Sequence, residues 1–210
     1  MAAYTERARL ATNIDKIRKK FKLGGIKLFV KYLLLTFKYG VENGVENAYI
    51  VNTANDIFFL RHIVGTKDNI VFPPDLIEKI DNASIGTLSL FHNHPWSIAP
   101  SVNDYNMFFS YKAIRDTSVC GHNGNLYYLR KQNAFYNFAN EEIKMLLDSF
   151  WNIHRSTVMK HMIDNGYEPD SPTMSDKVKK KVYGLIQEEL FVHVCERGKS
   201  KGLQGYREEV

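Results

Sequence analysis

The spacing of hydrophobic residues changes along the chain, from helical at the start, through mixed patterns in the centre, to helical again at the end. Leu10, Ile14 and Ile17 recur at near-helical spacing within the segment 4–22, which the Gly24-Gly25 pair ends. Short runs of β-favouring residues predict strands at 48–53, 57–63, 84–91, 118–122 and 126–131, with the first and last pairs forming hairpins. Helices are predicted at 74–80, 104–114, 139–165 and from there to about residue 197. Strands interleaved with helices in the centre, and helices alone at the end, indicate an α+β fold.

A continuous apolar stretch at 26–37 predicts either a core strand or a buried helix. The stretch is too short to span a bilayer and contains Lys27 and Lys31, so we expect no transmembrane segment. Gly40 and Gly44 predict a turn region directly after it.

The composition is that of an ordinary globular protein, with 210 residues of which 44% are hydrophobic and 24% are charged. The two cysteines, Cys120 and Cys195, provide no disulfide framework. This cysteine usage is typical of a cytoplasmic protein with reduced thiols.

The net charge of +5 at pH 7 is concentrated at the N-terminus, where residues 1–40 contain ten Lys and Arg but only two Asp and Glu. Such an excess can bind nucleic acid, anionic lipid or an acidic partner, or it can be an ordinary solvated helix face. The charged cluster comprises Lys16, Arg18, Lys19, Lys20 and Lys22. We therefore divide the chain into a basic N-terminal segment at 1–40, a core at 41–138, and C-terminal helices at 139–210 that pack on the same domain.

The candidate chemistry lies in the thirteen residues from His92 to Asp104. On a strand, alternate side chains share a face, so His92 and His94 point the same way and Asn93 points the opposite way. Two imidazoles and the Asp104 carboxylate form a ligand set for Zn²⁺ that leaves a fourth position for water, as in catalytic sites. Ser101 and Asp104 also match a helix N-cap, and the two interpretations are compatible because a helix start can hold a ligand rigidly.

The run His92-Asn93-His94-Pro95, followed by Ser101-x-x-Asp104, resembles the JAMM (MPN+ or JAB) metalloprotease motif, His-x-His-Pro followed by Ser-x-x-Asp. Its spelling is similar to the RadC branch and to bacterial and phage JAB-like proteins. Five residues separate Pro95 from Ser101, one fewer than in many family members. The resemblance covers about residues 41–135 and implies a mixed β-sheet flanked by helices in α/β/α layers. It also implies one Zn²⁺ per chain, held by His92, His94 and Asp104.

The family also has an upstream glutamate that serves as general base. Glu46 fits best because it directly precedes an apolar strand, while Glu42 is the alternative because the sequence around it repeats the same local pattern. The resemblance implies that Glu46 takes a proton from the metal-activated water and passes it to the leaving amine. It implies that Ser101 hydrogen-bonds the developing oxyanion. Trp96 either lines the substrate groove or packs the loop after the histidines.

The leading hypothesis from sequence is a zinc-dependent metalloprotease or isopeptidase that acts on a ubiquitin-like conjugate or another polypeptide. A second hypothesis is a RadC-like, DNA-associated protein, supported by the His-Asn-His-Pro spelling and the basic N-terminus. No helix-hairpin-helix pattern accompanies that basic segment. A third hypothesis is a metal-binding scaffold without catalytic activity.

Overall fold

A computed structural model describes residues 2–21, 26–53, 58–164, 166 and 175–207 of the chain. Its helices are α1 (Ala2–Phe21), α2 (Ile26–Asn43), α3 (Pro74–Asp81), α4 (Val102–Ser110), α5 (Asn140–Asp164) and α6 (Asp176–Lys199). Its strands are β1 (Asn47–Asn52), β2 (Phe58–Val64), β3 (Leu88–His94), β4 (Ile114–Gly121), β5 (Leu126–Lys131) and β6 (Leu203–Tyr206). A short 3₁₀ turn, Asn133–Asn137, connects β5 to α5.

The six strands form one mixed sheet in the order β2-β1-β3-β4-β5-β6. The β3–β4 pair is parallel, and the other four neighbouring pairs are antiparallel. A parallel pair needs a crossover connection, and α4 supplies it between β3 and β4. The predicted α+β class, with a mixed sheet flanked by helices, is confirmed.

Helices cover both faces of the sheet because every strand in its centre carries buried apolar side chains in both directions. On one face, α1 and α2 pack through Leu10, Ile17 and Leu33 against a cluster that includes Phe91 and Tyr128 of the sheet. The opposite face packs against α3, α4, α5 and α6, whose buried contributions are Leu76, Ile80, Tyr105, Phe108, Phe109, Ile143, Leu146, Phe150, Leu190, Phe191 and Val194. The result is three layers, helices on either side of one sheet.

The apolar stretch 26–37, left open as strand or helix, lies in α2. The turn predicted at Gly40 is wrong, because the helix continues through this glycine to Asn43. Gly44 does form the turn, with φ of +66° and its N–H donating to the Gly40 carbonyl at 2.8 Å. A side chain at Gly40 would overlap the Asn93 amide, so the glycine allows α2 to lie close against β3.

Further element boundaries differ from the prediction. Strand β3 begins at Leu88 rather than at residue 84 and includes both histidines, and β4 begins at Ile114 rather than at residue 118. The helix predicted to continue to Ile114 ends at Ser110, and Ile114 instead begins β4 and pairs with Leu88. The C-terminal segment is not all helix, because β6 follows α6 and pairs antiparallel with β5. A strand of four residues gives no alternation long enough to be recognised from sequence. The turn predicted at Asn55-Asp56 and the loop with Pro169 and Pro172 lie outside the described residues.

None of the helices within the described ranges combines the length and the apolar character needed to cross a lipid bilayer. Both cysteines are free thiols, Cys120 in the core and Cys195 partly buried. The basic N-terminal cluster lies on α1, with the exception of Lys22, which lies outside the described residues. Part of its charge is used internally, since Asp15 pairs with Arg18 and Lys19.

Candidate metal centre

Two elements position the predicted metal ligands. Strand β3 is buried along its whole length and ends with His92, Asn93 and His94. The two histidines share a face with Leu88 and Leu90, which pack towards α4, whereas Phe91 packs towards α2. Asp104 comes from the first turn of α4, directly after the loop that follows β3. A strand end and a helix start therefore face one another across a short loop.

The three side chains meet at this point. His92 Nε2 lies 3.0 Å from Asp104 Oδ1, and His94 Nε2 lies 3.4 Å from Asp104 Oδ2. One ligand atom from each residue lies within 4.8 Å of the others, and no second such group occurs among the residues that the structure describes. Zinc bonds of about 2.0 Å at tetrahedral angles place neighbouring ligand atoms about 3.3 Å apart. The two histidine-to-carboxylate distances, each to a different oxygen of Asp104, are close to this spacing.

His92 supplies an independent sign that the site suits a ligand. Both of its ring nitrogens are buried, and neither has a hydrogen-bond partner in the described part of the chain. The short distance from Nε2 to Asp104 does not alter this, because the two groups are not oriented for a hydrogen bond. Buried polar atoms nearly always have a partner, so a metal bound by His92 would satisfy an otherwise unpaired nitrogen.

His94 is held in one ring orientation. Its Nδ1 lies 3.0 Å from the Ile98 carbonyl, which fixes the tautomer with the proton on Nδ1 and directs Nε2 towards Asp104. Burial opposes a charge on this ring, but the hydrogen bond and negative charge of Asp104 outweigh it and raise the pKa of His94 to about 9. Burial opposes a charge on Asp104 too, but the neighbouring rings, His92 first and His94 second, hold the pKa of this carboxyl well below its usual range. The pocket therefore favours a positive charge beside Asp104.

Ser101 is the N-cap of α4 and forms a capping box with Asp104. The Ser101 N–H and hydroxyl both donate to Asp104 Oδ2, at 2.6 and 2.7 Å, and the hydroxyl oxygen accepts from the Asp104 N–H. This arrangement orients the carboxylate and leaves Oδ1 facing His92. The hydroxyl predicted to bind an oxyanion is thus engaged with Asp104, and it must rotate to reach a substrate.

Glu46 lies just before β1 and lines the same pocket as the three ligands. Its backbone is fixed by hydrogen bonds to Thr66 O at 2.7 Å and from Gly65 N at 2.9 Å. Burial raises the pKa of this carboxyl to about 7, helped by the negative charges of Asp104 and Asp68 and opposed by His94. Glu46 is therefore able to accept and release a proton near neutral pH.

Glu42, the alternative base, lies elsewhere. It belongs to the last turn of α2, where its exposed side chain is 3.8 Å from Lys38. Only Glu46 of the two lines the pocket with His92 and His94.

The pocket has a volume of about 340 Å³ and draws its walls from several parts of the chain. They include Asp68, Asn69, Ile70 and Phe72 from the loop after β2, Ile98, Asn103 and Met107 around α4, and Gln187 of α6. Trp96, predicted to line a groove or pack the loop, is partly buried and is not among the described residues that line this pocket. Its contact with a substrate stays a prediction.

Gln187 is a site residue that sequence reasoning missed. Its side chain is 9% exposed, and its Oε1 is buried without a hydrogen-bond partner among the described residues. The sequence feature that could have drawn attention to Gln187 is its spacing: it is a polar residue four positions before Phe191, on the buried face of α6. That signal does not connect Gln187 to His92, because the two lie far apart in sequence.

The chain matches no protein-family model, and no match was found among the curated proteins or the solved structures. The likeness to the JAMM motif therefore depends on the residues and geometry of this chain alone.

Proposed function

We propose that this protein is a zinc-dependent hydrolase of amide bonds, with the layered arrangement of JAMM-type metalloproteases. The observation that supports it is the convergence of His92, His94 and Asp104 on one side of a pocket that also contains the partly buried Glu46. The three ligands alone, without Glu46 beside them, could hold a structural metal. Glu46 alone, without metal ligands nearby, could be an ordinary partly buried carboxyl group. Their combination in an open pocket is the arrangement that hydrolysis requires.

The residues have distinct roles in this proposal. Bound zinc would acidify a coordinated water and polarise the scissile carbonyl. His92, His94 and Asp104 hold the ion, and the Ile98 carbonyl keeps the His94 ring in place. Glu46 takes the proton from the attacking water and returns it to the leaving amine, a transfer suited to its pKa of about 7.

The remaining polar groups of the pocket bind substrate. Ser101 can donate to the developing oxyanion once its hydroxyl turns from Asp104, and Gln187, whose Oε1 is unpaired among the described residues, can bind a peptide group. Peptide groups carry both a donor and an acceptor, which matches an amide side chain. A polypeptide, either a ubiquitin-like conjugate or another chain, is the substrate class we propose.

The test of catalysis is Glu46→Gln, which keeps the size of the side chain but removes its basicity. We expect hydrolysis to fall by about 10²–10⁴-fold, the usual contribution of a general base, while zinc content stays near that of the wild type. The assay uses a ubiquitin–peptide isopeptide conjugate and unfolded casein, each with and without a chelator.

Glu42→Gln is the matched control because this neighbouring glutamate lies outside the pocket, and it should retain full activity. Unchanged hydrolysis in Glu46→Gln contradicts the proposed base. Loss of zinc from that variant would make Glu46 a structural residue instead.

The test of the metal is zinc analysis of His92→Ala, His94→Ala and Asp104→Ala beside the wild type. Each substitution removes one of three protein ligands, so each should lower zinc affinity severely. His62→Ala is the control, since His62 is bound to Asn47 outside the ligand group. Wild-type protein that takes up no zinc would exclude the proposed function.

A further inference from the structure

We propose that Asn93, which lies between the two histidine ligands, is a positioning residue that fixes the backbone on both sides of Glu46. The inference rests on the proposed function in that Glu46 is the base whose position matters. It concerns a side chain that points away from the metal ligands and has no assigned role in the site.

The Asn93 side-chain amide bonds to the two peptide groups that flank Glu46. Its Nδ2 donates to the Val45 carbonyl at 2.9 Å, and its Oδ1 accepts from the Asn47 N–H at 2.7 Å. Glu46 is the residue between these two contacts. The amide therefore constrains the chain immediately before and immediately after the proposed base.

All hydrogen-bonding capacity of this amide is used. Besides the two backbone contacts, Oδ1 accepts from Asn47 Nδ2 at 2.5 Å, and Nδ2 lies 2.8 Å from His122 Nε2. An amide has two donor hydrogens and two acceptor lone pairs, and each has a partner here. The pattern also defines the orientation of the amide, because a flipped group would place a donor against the Asn47 N–H.

The position of Asn93 in the sheet explains why such a contact is needed. Backbone pairing of β1 with β3 ends at Ala48 opposite His92. Beyond this last backbone pair, the side chain of Asn93, rather than its backbone, forms the hydrogen bonds to Val45 and Asn47. On the other edge, Glu46 is bonded to Thr66 and Gly65, so its backbone is held from both sides.

The environment of Asn93 is rigid as well as polar. The side chain is fully buried, and the backbone of α2 at Gly40 lies directly against it. Asn47 is itself held by the Thr36 carbonyl at 2.9 Å. The same residue run thus contributes two metal ligands on one face of β3 and a support for the base on the other.

The first experiment needs no substrate and measures amide hydrogen exchange by NMR. In the wild type, the Asn47 N–H should exchange slowly because it donates to Asn93. Asn93→Ala should accelerate exchange at Asn47 by at least about tenfold, while Val51, deeper in β1, stays protected. Slow exchange at Asn47 in Asn93→Ala would overturn the proposal, whether or not the protein hydrolyses amides.

The second experiment measures hydrolysis of the ubiquitin–peptide conjugate or casein. Asn93→Ala should lower kcat by about 10–100-fold, the range for groups that orient catalytic residues, with zinc content unchanged. In a Glu46→Gln background the same substitution should cost almost nothing, because the group that it positions is already removed. Equal losses in both backgrounds would assign Asn93 a general structural role and contradict the proposal.

Two variants guard against a simple folding defect. Asn93→Asp keeps the acceptor for Asn47 but lacks the donor for Val45, so Asn47 protection and part of the activity should return relative to Asn93→Ala. Ser118→Ala is the matched control, since it removes a buried hydroxyl that has no hydrogen-bond partner among the described residues from the neighbouring strand. It should leave exchange at Asn47 and kcat unchanged, and a comparable loss in this variant would contradict a specific role for Asn93.

Discussion

Three adjacent residues at the end of β3 place polar side chains with different proposed roles on the two faces of the sheet. His92 and His94 face the pocket, and Asn93 faces α2 and the segment that leads into β1. The division follows from the two-residue repeat of a strand, which sends neighbouring side chains to opposite faces. In the proposed function, one short run therefore serves both metal binding and placement of the base.

A prediction at this scale concerns Ser101, whose hydroxyl orients the Asp104 carboxylate. Ser101→Ala removes the donor to Oδ2 and the acceptor for the Asp104 N–H. We expect a loss of about 1 kcal/mol in the free energy of unfolding, typical of an N-cap, and a 10–100-fold weaker zinc affinity. Chemical denaturation and competition titration with a zinc chelator measure the two effects.

Ser101→Thr is the control for this prediction because threonine retains the hydroxyl. If Ser101→Ala binds zinc as tightly as the wild type, the capping box does not orient the ligand.

The predictability of these residues from sequence depends on how close they lie along the chain. His92, His94, Ser101 and Asp104 form one local motif, so strand alternation, the helix N-cap pattern and the resemblance to the JAMM motif together predicted that they meet. Gln187 reaches the pocket from α6, and its place there depends on how helices pack across the sheet. Sequence periodicity reports which face of a helix is buried but not which neighbour covers it.

Among the elements, α4 has a defined polar contact at each end. The capping box closes its N-terminus, and the buried Lys131 of β5 closes its C-terminus by donating to the Phe108 and Tyr111 carbonyls at 2.5 and 2.9 Å. Carbonyls in the last turn of a helix lack partners within it, and a cation there is favoured by the helix dipole. These contacts fix the length of the helix that carries Asp104.

The end of α4 shows why one boundary was misjudged. Helical spacing continued through Ile114, but the chain leaves the helix at Ser110 to enter β4. Lys131 satisfies the carbonyls at that point, and it comes from a strand that follows later in the sequence. A helix end stabilised by a distant residue leaves no local stop signal such as glycine or proline.

The buried Lys131 leads to a prediction about pH. Burial, with a contribution from Lys112, lowers the pKa of Lys131 to about 7. Between that value and the unfolded pKa of about 10.4, the unfolded chain binds more protons than the folded chain, so stability rises with pH in this window. Relative to Lys131→Met, the wild type should gain about 2 kcal/mol in the free energy of unfolding from pH 7 to pH 9.

Denaturant unfolding at both pH values measures this difference. The exposed Lys79→Met variant should follow the wild type, because its charge is solvated in both states. A parallel pH dependence for wild type and Lys131→Met would show that the buried amine is not the titrating group.

Across the whole molecule, the C-terminal strand joins the sheet to the N-terminal helix. Strand β6 pairs with β5, Tyr206 donates to Asn13 Oδ1 at 3.1 Å, and Lys20 donates to the Gly205 carbonyl at 3.3 Å. The layer formed by α1 and α2 therefore depends on residues from the opposite end of the chain. The segments 1–40 and 139–210 both contact the sheet formed mainly by the segment between them.

Removal of residues 201–210 tests this dependence. The truncation exposes the edge of β5 and the packing surface of α1, so we expect a lower melting temperature and increased aggregation. Differential scanning calorimetry and size-exclusion chromatography measure both. A melting temperature equal to that of the full chain would show that β6 contributes nothing to the joining of the layers.

The layered class was predictable because each element carries its own periodicity, and the interleaving of strands and helices restricts the arrangements. The joining of the chain ends was not, because β6 has four residues and its partners lie at the start of the sequence. Non-local pairing of this kind depends on the assembled sheet.

The three proposed ligands lie within thirteen consecutive residues, whereas Glu46 directly precedes a strand, β1, that must close a loop of more than forty residues to reach them. The entropy lost on loop closure grows with the logarithm of loop length, so the ligand segment assembles at a lower entropic cost than the complete site. Under the proposed zinc binding, a partly folded chain in which β1 has not yet joined β3 could already hold the ion. Metal content of a preparation then reports the formation of one crossover unit, and only turnover reports that the whole sheet has closed.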